Sequence, residues 1–406
     1  MTRQVQIERL GHKGDGIAPG PLYVPGTLPG ERVEGILDGE VLAAPRILSP
    51  SPDRVAPPCR HARTCGGCQL QHASDSFVET WKTEVLRRAL EAQGLPAPIT
   101  GCETSPPHSR RRAVFSARRL KKGALAGFHR KRSDEIVAVP DCRVVTPRIA
   151  GALPLVEALA VAGASRKTEI SVTVTDSLSG LDVAVSGGKP IDTALRQELA
   201  TLVEAHDLAR LSWGDETLTR KPPFQRFGTA DVVPPPGAFL QATAPGEAAL
   251  VAGVLEALEG AGQVADLFSG CGTFALPLAG RAAVHAVEGA RPMLAALDRG
   301  WRKAQGLKQV TTETRDLFRN PLLPDELARF DGVVLDPPRA GAEAQVQALA
   351  RAGVPRIAYV SCNPVTYARD VACLARSGYR LEWVRVVDQF RWSAHVELVS
   401  CLSRED

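Results

Sequence analysis

Two glycines and an acid in the C-terminal half have the spacing of a ligand-binding turn. Gly270 and Gly272 lie in DLFSGCGTF (266–274), where they permit a tight turn and close approach of the backbone to a ligand. Glu288 follows 18 residues after Gly270, at the end of the next apolar segment, where a carboxylate can bind both hydroxyls of a ribose. Position 275 is alanine, so the third glycine of a dinucleotide site is missing. The pattern fits a nucleoside without phosphates, such as S-adenosylmethionine, and a turn that binds no ligand is the alternative.

Three further motifs of this half carry groups that could do chemistry at the ends of predicted strands. Asp336 opens DPPR, in which the prolines stiffen the loop, and Arg339 stands where amine methyltransferases have an aromatic residue. Cys362, in SCNP, is a candidate nucleophile, although a lone cysteine is commonly a small buried apolar residue. Glu397, in the HVE expected in the last strand, is a candidate general base or an exposed acid of an edge strand.

The cysteines suggest a metal site. The chain has nine, an odd number, and it is too long for a disulfide framework to be a good explanation. Cys59, Cys65 and Cys68 have the spacing C-x5-C-x2-C, and Cys142 is a candidate fourth ligand. Zinc and an iron–sulfur cluster both take four ligands, and the spacing does not decide between them.

The net charge of +4 hides one strongly basic segment. Residues 101–135 contain ten Lys or Arg side chains and only three acids, so the rest of the chain is slightly acidic. Phe115 and Phe128 lie within this segment. A solvated surface and a nucleic-acid-binding face explain it equally well.

The elements that must position these residues fall into three regions. Residues 1–52 alternate short apolar stretches with Gly and Pro, which predicts a small β-barrel. Residues 53–236 mix strands and helices, beginning with an amphipathic helix over 77–93. Residues 237–406 alternate strands and helices, which predicts a doubly wound, mostly parallel α/β sheet with an antiparallel edge hairpin. Without a long apolar run or a signal peptide, a cytoplasmic protein is expected.

Together the motifs resemble those of the RNA uridine-5 methyltransferases, S-adenosylmethionine-dependent enzymes that make 5-methyluridine in transfer or ribosomal RNA. The resemblance runs nearly end to end. IERLGHKGDGIA and VPGTLPGERV are similar to the TRAM domain, an RNA-binding barrel of OB-like fold. The cysteine spacing is similar to that of members with a 4Fe–4S cluster. The resemblance therefore implies a Rossmann-like class I methyltransferase domain preceded by a TRAM barrel and a central α+β domain that binds the cluster and RNA.

The resemblance also implies a role for each matching residue. Cys362 corresponds to a nucleophile that forms a covalent adduct with uracil, and Glu397 corresponds to the base. The cofactor-contacting positions correspond to Gln241, Phe268, Thr273, Glu288, Asp316 and Asp336. The cluster ligands correspond to Cys59, Cys65, Cys68 and Cys142. The expected partner is RNA, ribosomal in preference to transfer RNA, with no membrane and no obligate protein partner. The helix over 77–93 is expected to pack with the catalytic domain.

Two departures from the family pattern lie near the site. FRWSAHVE replaces the Pro–His–Thr run that often precedes the final His and Glu, and Thr273 stands where some members have Asn. Two other functions stay open. An RNA cytosine-5 methyltransferase typically presents a different Cys–Pro arrangement, and the intact Cys362 and Glu397 argue against a non-catalytic iron–sulfur RNA-binding protein.

Overall fold

The N-terminal region of the molecule is a single sheet. The computed structural model describes residues 2–20 and 22–404 of the 406-residue chain. Six strands form the sheet in the order β1-β5-β6-β4-β3-β2, and all pairs except β4 with β6 are antiparallel. They are β1 (Thr2–Gln6), β2 (Arg9–Leu10), β3 (Gly16–Ala18), β4 (Leu22–Val24), β5 (Arg32–Asp38) and β6 (Val41–Ser49). Alternate apolar side chains, among them Val24 and Val33, pack into a small core.

The next two elements pack against the C-terminal part of the molecule. They are α1 (Asp75–Glu91) and β7 (Ile99–Thr104). Ser74 begins the helix by accepting a hydrogen bond from the Phe77 amide (3.2 Å). Leu86 and Leu90 are buried in the same core as Leu335 of the C-terminal sheet, because an amphipathic helix must cover its apolar stripe.

A seven-stranded sheet forms most of the central region. Its order is β10-β9-β8-β11-β12-β13-β14, and a separate hairpin, β15 with β16, follows it. The elements are β8 (Arg112–Arg119), β9 (Ala124–His129), β10 (Ile136–Val137), α2 (Pro147–Ala150), α3 (Leu153–Gly163), β11 (Ile170–Ser177), β12 (Gly180–Ser186), α4 (Thr193–Ala205), β13 (Arg210–Trp213), β14 (Glu216–Thr219), β15 (Gln225–Phe227) and β16 (Ala230–Val232). Helix α3 packs on β8, β9 and α4.

The C-terminal region is an eight-stranded sheet in the order β19-β18-β17-β20-β21-β23-β22-β7. Strands β17 to β21 are mutually parallel, as the alternating sequence pattern predicts. The elements are α5 (Ala244–Ala257), β17 (Gln263–Leu267), α6 (Ala275–Leu278), β18 (Ala283–Glu288), α7 (Arg291–Lys303), β19 (Val310–Thr314), α8 (Pro324–Leu327), β20 (Gly332–Leu335), α9 (Glu343–Ala352), β21 (Arg356–Ser361), α10 (Pro364–Ala375), β22 (Tyr379–Asp388) and β23 (Leu398–Arg404).

Two expectations about the end of the chain are wrong. The antiparallel pair β22 and β23 is not at the edge of the sheet, because β7 pairs with β22 in parallel and takes the edge position. The HVE motif is not in the last strand either, since β23 begins at Leu398. Trp392 has φ of 61°, and its carbonyl accepts hydrogen bonds from the amides of Gln69 and Leu70 (2.9 and 2.8 Å). Residues 389–397 form a loop between β22 and β23, and these contacts hold it at Trp392.

No helix in residues 2–20 and 22–404 is both long and apolar enough to cross a membrane.

Candidate active site

The glycine turn and Glu288 form one unit at the carboxyl ends of β17 and β18. Gly270 (φ 55°) donates its amide to Glu288 Oε2 at 3.1 Å, and the Ala290 amide donates to Oε1 at 2.8 Å. Gly272 has φ of 94°, and a Cβ there would lie 2.8 Å from Leu297 Cγ. The second glycine is therefore required both by its backbone conformation and by the close approach of α7.

Phe268 lies next to this turn and is linked to Asp316 through Phe318. Phe268 has φ of 65°, which for a residue with a Cβ costs about 1–3 kcal/mol, and such strain is concentrated at functional sites. Its ring is 5.4 Å from the ring of Phe318, whose amide donates to Asp316 Oδ1 at 3.0 Å. Thr273 is half-buried, two residues before the start of α6. The strand ends thus gather the residues matched to the cofactor site.

Asp266 is a buried carboxyl group that the sequence analysis did not single out. It lies in β17, and neither of its oxygens makes a well-formed hydrogen bond with the described residues. Burial raises its pKa well above the usual range, and the charges of Asp336 and Glu288 raise it further. Burial also raises the pKa of Asp336 to about 7. The negative charges of Glu288 and Asp336 disfavour ionisation of Asp266, and this edge is therefore suited to a cationic ligand.

A chain of hydrogen-bonded side chains joins Asp336 to Glu397. Gln241 Nε2 donates to Asp336 Oδ2 at 3.3 Å, and its Oε1 accepts from Gln389 Nε2 at 2.7 Å. Gln389 Nε2 also donates to Glu397 Oε2, and its Oε1 accepts from the Thr243 amide at 3.2 Å. Gln389 is adjacent to Asp388 at the end of a predicted strand, but nothing in its local sequence indicates these contacts.

Cys362 lies at the same edge, between β21 and α10. Asn363 caps α10 by accepting from the Val365 amide (3.1 Å), and its Nδ2 donates to the Arg339 carbonyl (2.9 Å). A hydrogen bond therefore joins the DPPR loop to the cysteine loop. Burial raises the pKa of Cys362 to about 11, and the charges of Glu397 and Asp336 raise it further, whereas Arg339 lowers it. The thiol is protonated at neutral pH.

Glu397 is almost fully buried, at 4% exposure. Burial raises its pKa to about 8, and the charge of Asp336 contributes to the rise. The hydrogen bond from Gln389 and the charge of Lys82 oppose it. A carboxyl group with a pKa near neutrality can accept a proton and release it again, as a general base must.

Lys82 of α1 reaches this site through a buried ion pair. Its Nζ lies 2.6 Å from Asp388 Oδ1, with both side chains fully buried, and donates to the Phe390 carbonyl at 3.3 Å. The sequence indicates this burial by the position of the lysine, because Lys82 lies four residues from both Val78 and Leu86 on an apolar helix face. Helix α1 thereby holds the start of the loop that carries Glu397.

A cavity of about 870 Å³ lies next to the chain neighbours of Gln241 and Gln389, and Cys59, Cys65, Cys68 and Cys142 all line it. His61 Nε2 is 3.0 Å from Asp141 Oδ1, which holds the segment of Cys142 next to residues 59–68. Within the described part of the chain, no three His, Cys, Asp or Glu side chains are arranged to hold a metal ion. The four cysteines thus share a cavity without forming a closed single-ion site.

Half of the ten cations of the basic segment line this cavity, one is in a buried ion pair, and the other four lie elsewhere. The cavity wall includes five of its cations together with Lys13 and Arg143; the five are Arg110, Arg112, Arg130, Lys131 and Arg132. Arg111 instead forms a buried ion pair with Glu247 and donates to the Gln241 carbonyl at 3.1 Å. Leu240, Ala242 and Phe390 also line the cavity, so its wall adjoins Gln241 and Gln389.

Comparison with known proteins identifies the family. A family model described as tRNA (Uracil-5-)-methyltransferase matches residues 235–405. A protein named an uncharacterized RNA methyltransferase, from Brucella suis biovar 1 (strain 1330), is 47% identical over 99% of this chain and 98% of its own length. The 23S rRNA (uracil(1939)-C(5))-methyltransferase RlmD of Alkalilimnicola ehrlichii is 35% identical over 99% of this chain and 96% of its own. The chain belongs to the RNA uracil-5-methyltransferase family.

The fold of this RNA methyltransferase agrees with that assignment. The crystal structure of Pyrococcus abyssi tRNA (uracil-54, C5)-methyltransferase in complex with S-adenosyl-L-homocysteine superposes with a TM-score of 0.77. The superposition covers 98% of this chain and 99% of that chain at 23% identity. The class I methyltransferase fold predicted from the sequence is confirmed.

In this methyltransferase the predicted site residues fall into three neighbouring groups. Gln241, Asp336 and Glu397 are joined through Gln389, and Cys362 lies within the electrostatic reach of both acids. Glu288 is bonded to the glycine turn, next to Phe268, Thr273 and Asp316. The four cysteines are separate from both groups and line the adjoining cavity.

Proposed function

We propose that this enzyme transfers the methyl group of S-adenosylmethionine to carbon 5 of a uridine in ribosomal RNA, through a covalent bond between Cys362 and the uracil. The observation that carries the proposal is the convergence of one thiol, Cys362, and two carboxyl groups, Glu397 and Asp336, beside the glycine turn. Ribosomal RNA is favoured over transfer RNA because the Alkalilimnicola ehrlichii relative, matched over nearly its whole length, is named for 23S rRNA.

The residues at the strand ends fit the cofactor. Asp266 is buried without a well-formed hydrogen bond, and Glu288 and Asp336 add negative charge beside it. S-adenosylmethionine is cationic at its sulfonium and amino groups, so its binding would relieve this repulsion. Gly270, Phe268, Thr273, Asp316 and Gln241 are the other residues that would hold it. When bound, it supplies an electrophilic methyl group and keeps the electron pair of the broken carbon–sulfur bond.

Cys362 and Glu397 divide the reaction between them. The Cys362 thiol gives up its proton to the Asp336 carboxylate, which returns it when Sγ leaves. Sγ adds to carbon 6 of the uracil, which moves an electron pair to oxygen 4 and makes carbon 5 nucleophilic. After carbon 5 has taken the methyl group, Glu397 accepts the proton that is still bound to carbon 5. The electron pair of that carbon–hydrogen bond reforms the ring double bond and expels Sγ. Net transfer of one methyl group releases one proton.

Cys59, Cys65, Cys68 and Cys142 are the ligands of a 4Fe–4S cluster in this proposal, which their common cavity supports. Each of the four thiolates would hold one iron of the cluster, which takes four cysteine ligands. The cluster would cross-link the segments 59–68 and 141–142. It takes no part in the methyl transfer derived above.

The three regions have separate tasks in this proposal. Residues 1–52 act as an RNA-binding TRAM barrel, residues 53–236 bind the cluster and RNA, and residues 237–406 carry out catalysis. The cations around the cavity, drawn from the first two regions, support RNA binding at their junction. An extruded uridine costs about a few kcal/mol of stacking, which contacts with flanking phosphates would offset.

Two variants test the catalytic assignment with methyl-labelled cofactor and transcripts of 23S rRNA and transfer RNA. Cys362→Ala should abolish methyl transfer while RNA and cofactor affinities stay within about twofold, because only the covalent step is lost. Glu397→Gln should form the RNA adduct without releasing it, which gives a retarded band on a denaturing gel.

Cys373→Ser, in α10, is the matched control and should keep full turnover. Methyl transfer by Cys362→Ala would refute the nucleophile assignment. Transfer to the transfer RNA alone would refute ribosomal RNA as the substrate.

A further inference from the structure

The direction of the Gln389 amide is fixed by its neighbours. The Thr243 amide can only donate a hydrogen bond, so it must face Gln389 Oε1 (3.2 Å). Nε2 then faces Glu397, whose Oε2 accepts the hydrogen bond. The second hydrogen of Nε2 is directed at Gln241 Oε1 (2.7 Å). A flipped amide would set donor against donor at Thr243, so the contacts admit one orientation.

The hydrogen bond from Gln389 fixes the orientation of the Gln241 side-chain amide. Because Gln241 Oε1 accepts from Gln389, its own Nε2 is directed at Asp336 Oδ2, 3.3 Å away. A backbone amide at the start of α5 therefore sets the direction of two successive side chains. Both carboxyl groups of the site, Glu397 and Asp336, receive a donor from this chain.

The surroundings of Gln389 are built around its side chain. It is 1% exposed, and a Cβ at Gly246, in the first turn of α5, would overlap Gln389 Cγ and Cδ. Thr243 Oγ1 accepts from the Gly246 amide at 3.0 Å and lies 2.7 Å from Ser105 Oγ, which fixes this turn. The wall behind Gln389 is thus held by hydrogen bonds, and the absence of a side chain at Gly246 leaves room for Gln389.

We propose that Gln389 is a positioning residue, which holds Glu397 for removal of the carbon 5 proton and fixes the amide direction of Gln241. The inference rests on the proposed role of Glu397 as the base. Gln389 engages Oε2 of Glu397, and no described residue hydrogen-bonds to Oε1, which leaves that oxygen to take the proton. The charged and titratable groups that face Glu397 are Asp336, Asp388, Lys82 and Cys362. Lys82 is paired with Asp388, so it does not replace the Gln389 donor.

Gln389→Met tests the proposal because methionine has similar length and no amide. Turnover should fall about tenfold to a hundredfold, while KM for RNA and for the cofactor changes less than about twofold. The covalent RNA adduct should still form and should accumulate, because the step after it is slowed. The acid limb of the kcat–pH profile should move to higher pH, since the Glu397 carboxylate loses a donor that stabilises its charge.

Gln345→Met is the matched control. Gln345 is also fully buried and bonds to the Leu322 backbone (2.9 and 3.2 Å), so the variant loses equivalent hydrogen bonds outside the site. Its pH profile should be that of the wild type. Gly246→Ala should reproduce the Gln389→Met profile by displacing the side chain. If Gln389→Met does not fold, Gln389→Asn, too short to reach both acceptors, takes its place.

Wild-type turnover and pH profile in folded Gln389→Met, or in Gln389→Asn, would overturn the positioning role. If Glu397 is not the base, the result is different, because Glu397→Gln would then keep full turnover whatever the Gln389 variants do.

Discussion

At the residue scale, burial of Glu397 lowers the stability of the folded protein at neutral pH and above, and it gives the group a pKa suited to a general base. A carboxyl group normally has a pKa near 4.5, and burial raises that of Glu397 to about 8. In the unfolded chain the group ionises near its ordinary pKa. Above that pH, folding must either add a proton to Glu397 or bury its negative charge, and both cost free energy. The stability that this group contributes is fully present below about pH 4.5 and is lost as the pH rises through 8.

Glu397→Gln should therefore stabilise the folded protein in a pH-dependent way. Glutamine cannot ionise, so Tm should rise by about 2 °C or more at pH 8.5, from a free energy on the order of a few kcal/mol, and less at pH 5. Thermal unfolding at the two pH values measures the difference. The exposed Glu198→Gln is the control, with no pH-dependent change expected. An equal shift at both pH values would contradict the buried, protonated state of Glu397.

At the element scale, α1 and β7 precede the central sheet in the chain but belong to the catalytic one. Helix α1 packs against α10 and β7, and β7 extends the sheet beyond β22. Lys82 of α1 and Asp388 of β22 neutralise each other inside this interface. A buried pair is weak evidence of net stabilisation, but removal of one partner leaves an uncompensated charge.

Lys82→Met should therefore lower the free energy of unfolding by about 3–5 kcal/mol. The double variant Lys82→Met with Asp388→Asn should recover most of that loss, because no lone buried charge remains and Asn can still accept from the Phe390 amide (2.9 Å). Urea denaturation of both variants measures the two values, with exposed Lys167→Met as the control. A double variant as unstable as the single one would show that the charge is not the cause.

At the scale of the whole molecule, three separate parts of the chain meet around one cavity. Lys13 comes from the N-terminal sheet, Arg112 from the central sheet and Phe390 from the loop that leads to Glu397. Arg132 also bonds to Asp15 at 2.5 Å across the first two regions. The cysteine segment contacts the catalytic loop through the Gln69 and Leu70 amides on the Trp392 carbonyl. The cavity wall and the loop that carries Glu397 are therefore joined by backbone hydrogen bonds.

The proposed cluster predicts about four irons per chain and a brown colour after anaerobic purification. Cys68→Ser should reduce the iron content to well below that value, because the cluster loses one of its four cysteine ligands. Cys373→Ser, outside the cavity, should keep it. Elemental analysis and the visible absorption spectrum measure the content. Stoichiometric zinc, or equal iron in both variants, would rule out the cluster.

The cavity cations predict a salt-dependent RNA affinity. Arg143 is exposed and lines the cavity, so Arg143→Ala should weaken RNA binding and reduce the slope of log K against log salt concentration by about 1. Arg166→Ala removes an exposed charge that does not line the cavity and should leave the slope unchanged. Filter binding over a salt series measures both. Equal slopes for the two variants would show that the cavity does not bind RNA.

Short-range patterns determined much of the fold from the sequence. The segment TALRQELATLVEA predicts the helix over Thr193–Ala205, and EISVTVTD with LDVAVSG predicts the hairpin of β11 and β12, because apolar periodicity and turn residues act over a few positions. Alternating strands and helices likewise predicted the parallel order around β17. The motifs at Gly270, Asp336 and Cys362 could be found because strand ends of such a sheet meet at one edge.

Only the tertiary structure decided the contacts that arise across long separations in the chain. Gln241 and Gln389 are 148 positions apart and Lys82 is more than 300 from Asp388, so no local pattern encodes their pairing. The same holds for β7, whose edge position depends on what the rest of the sheet leaves unpaired. The sequence determined which groups could do chemistry and on which elements they lie. Packing alone decided which of them share a buried environment, because burial and hydrogen-bond partners depend on atoms brought together by the whole chain.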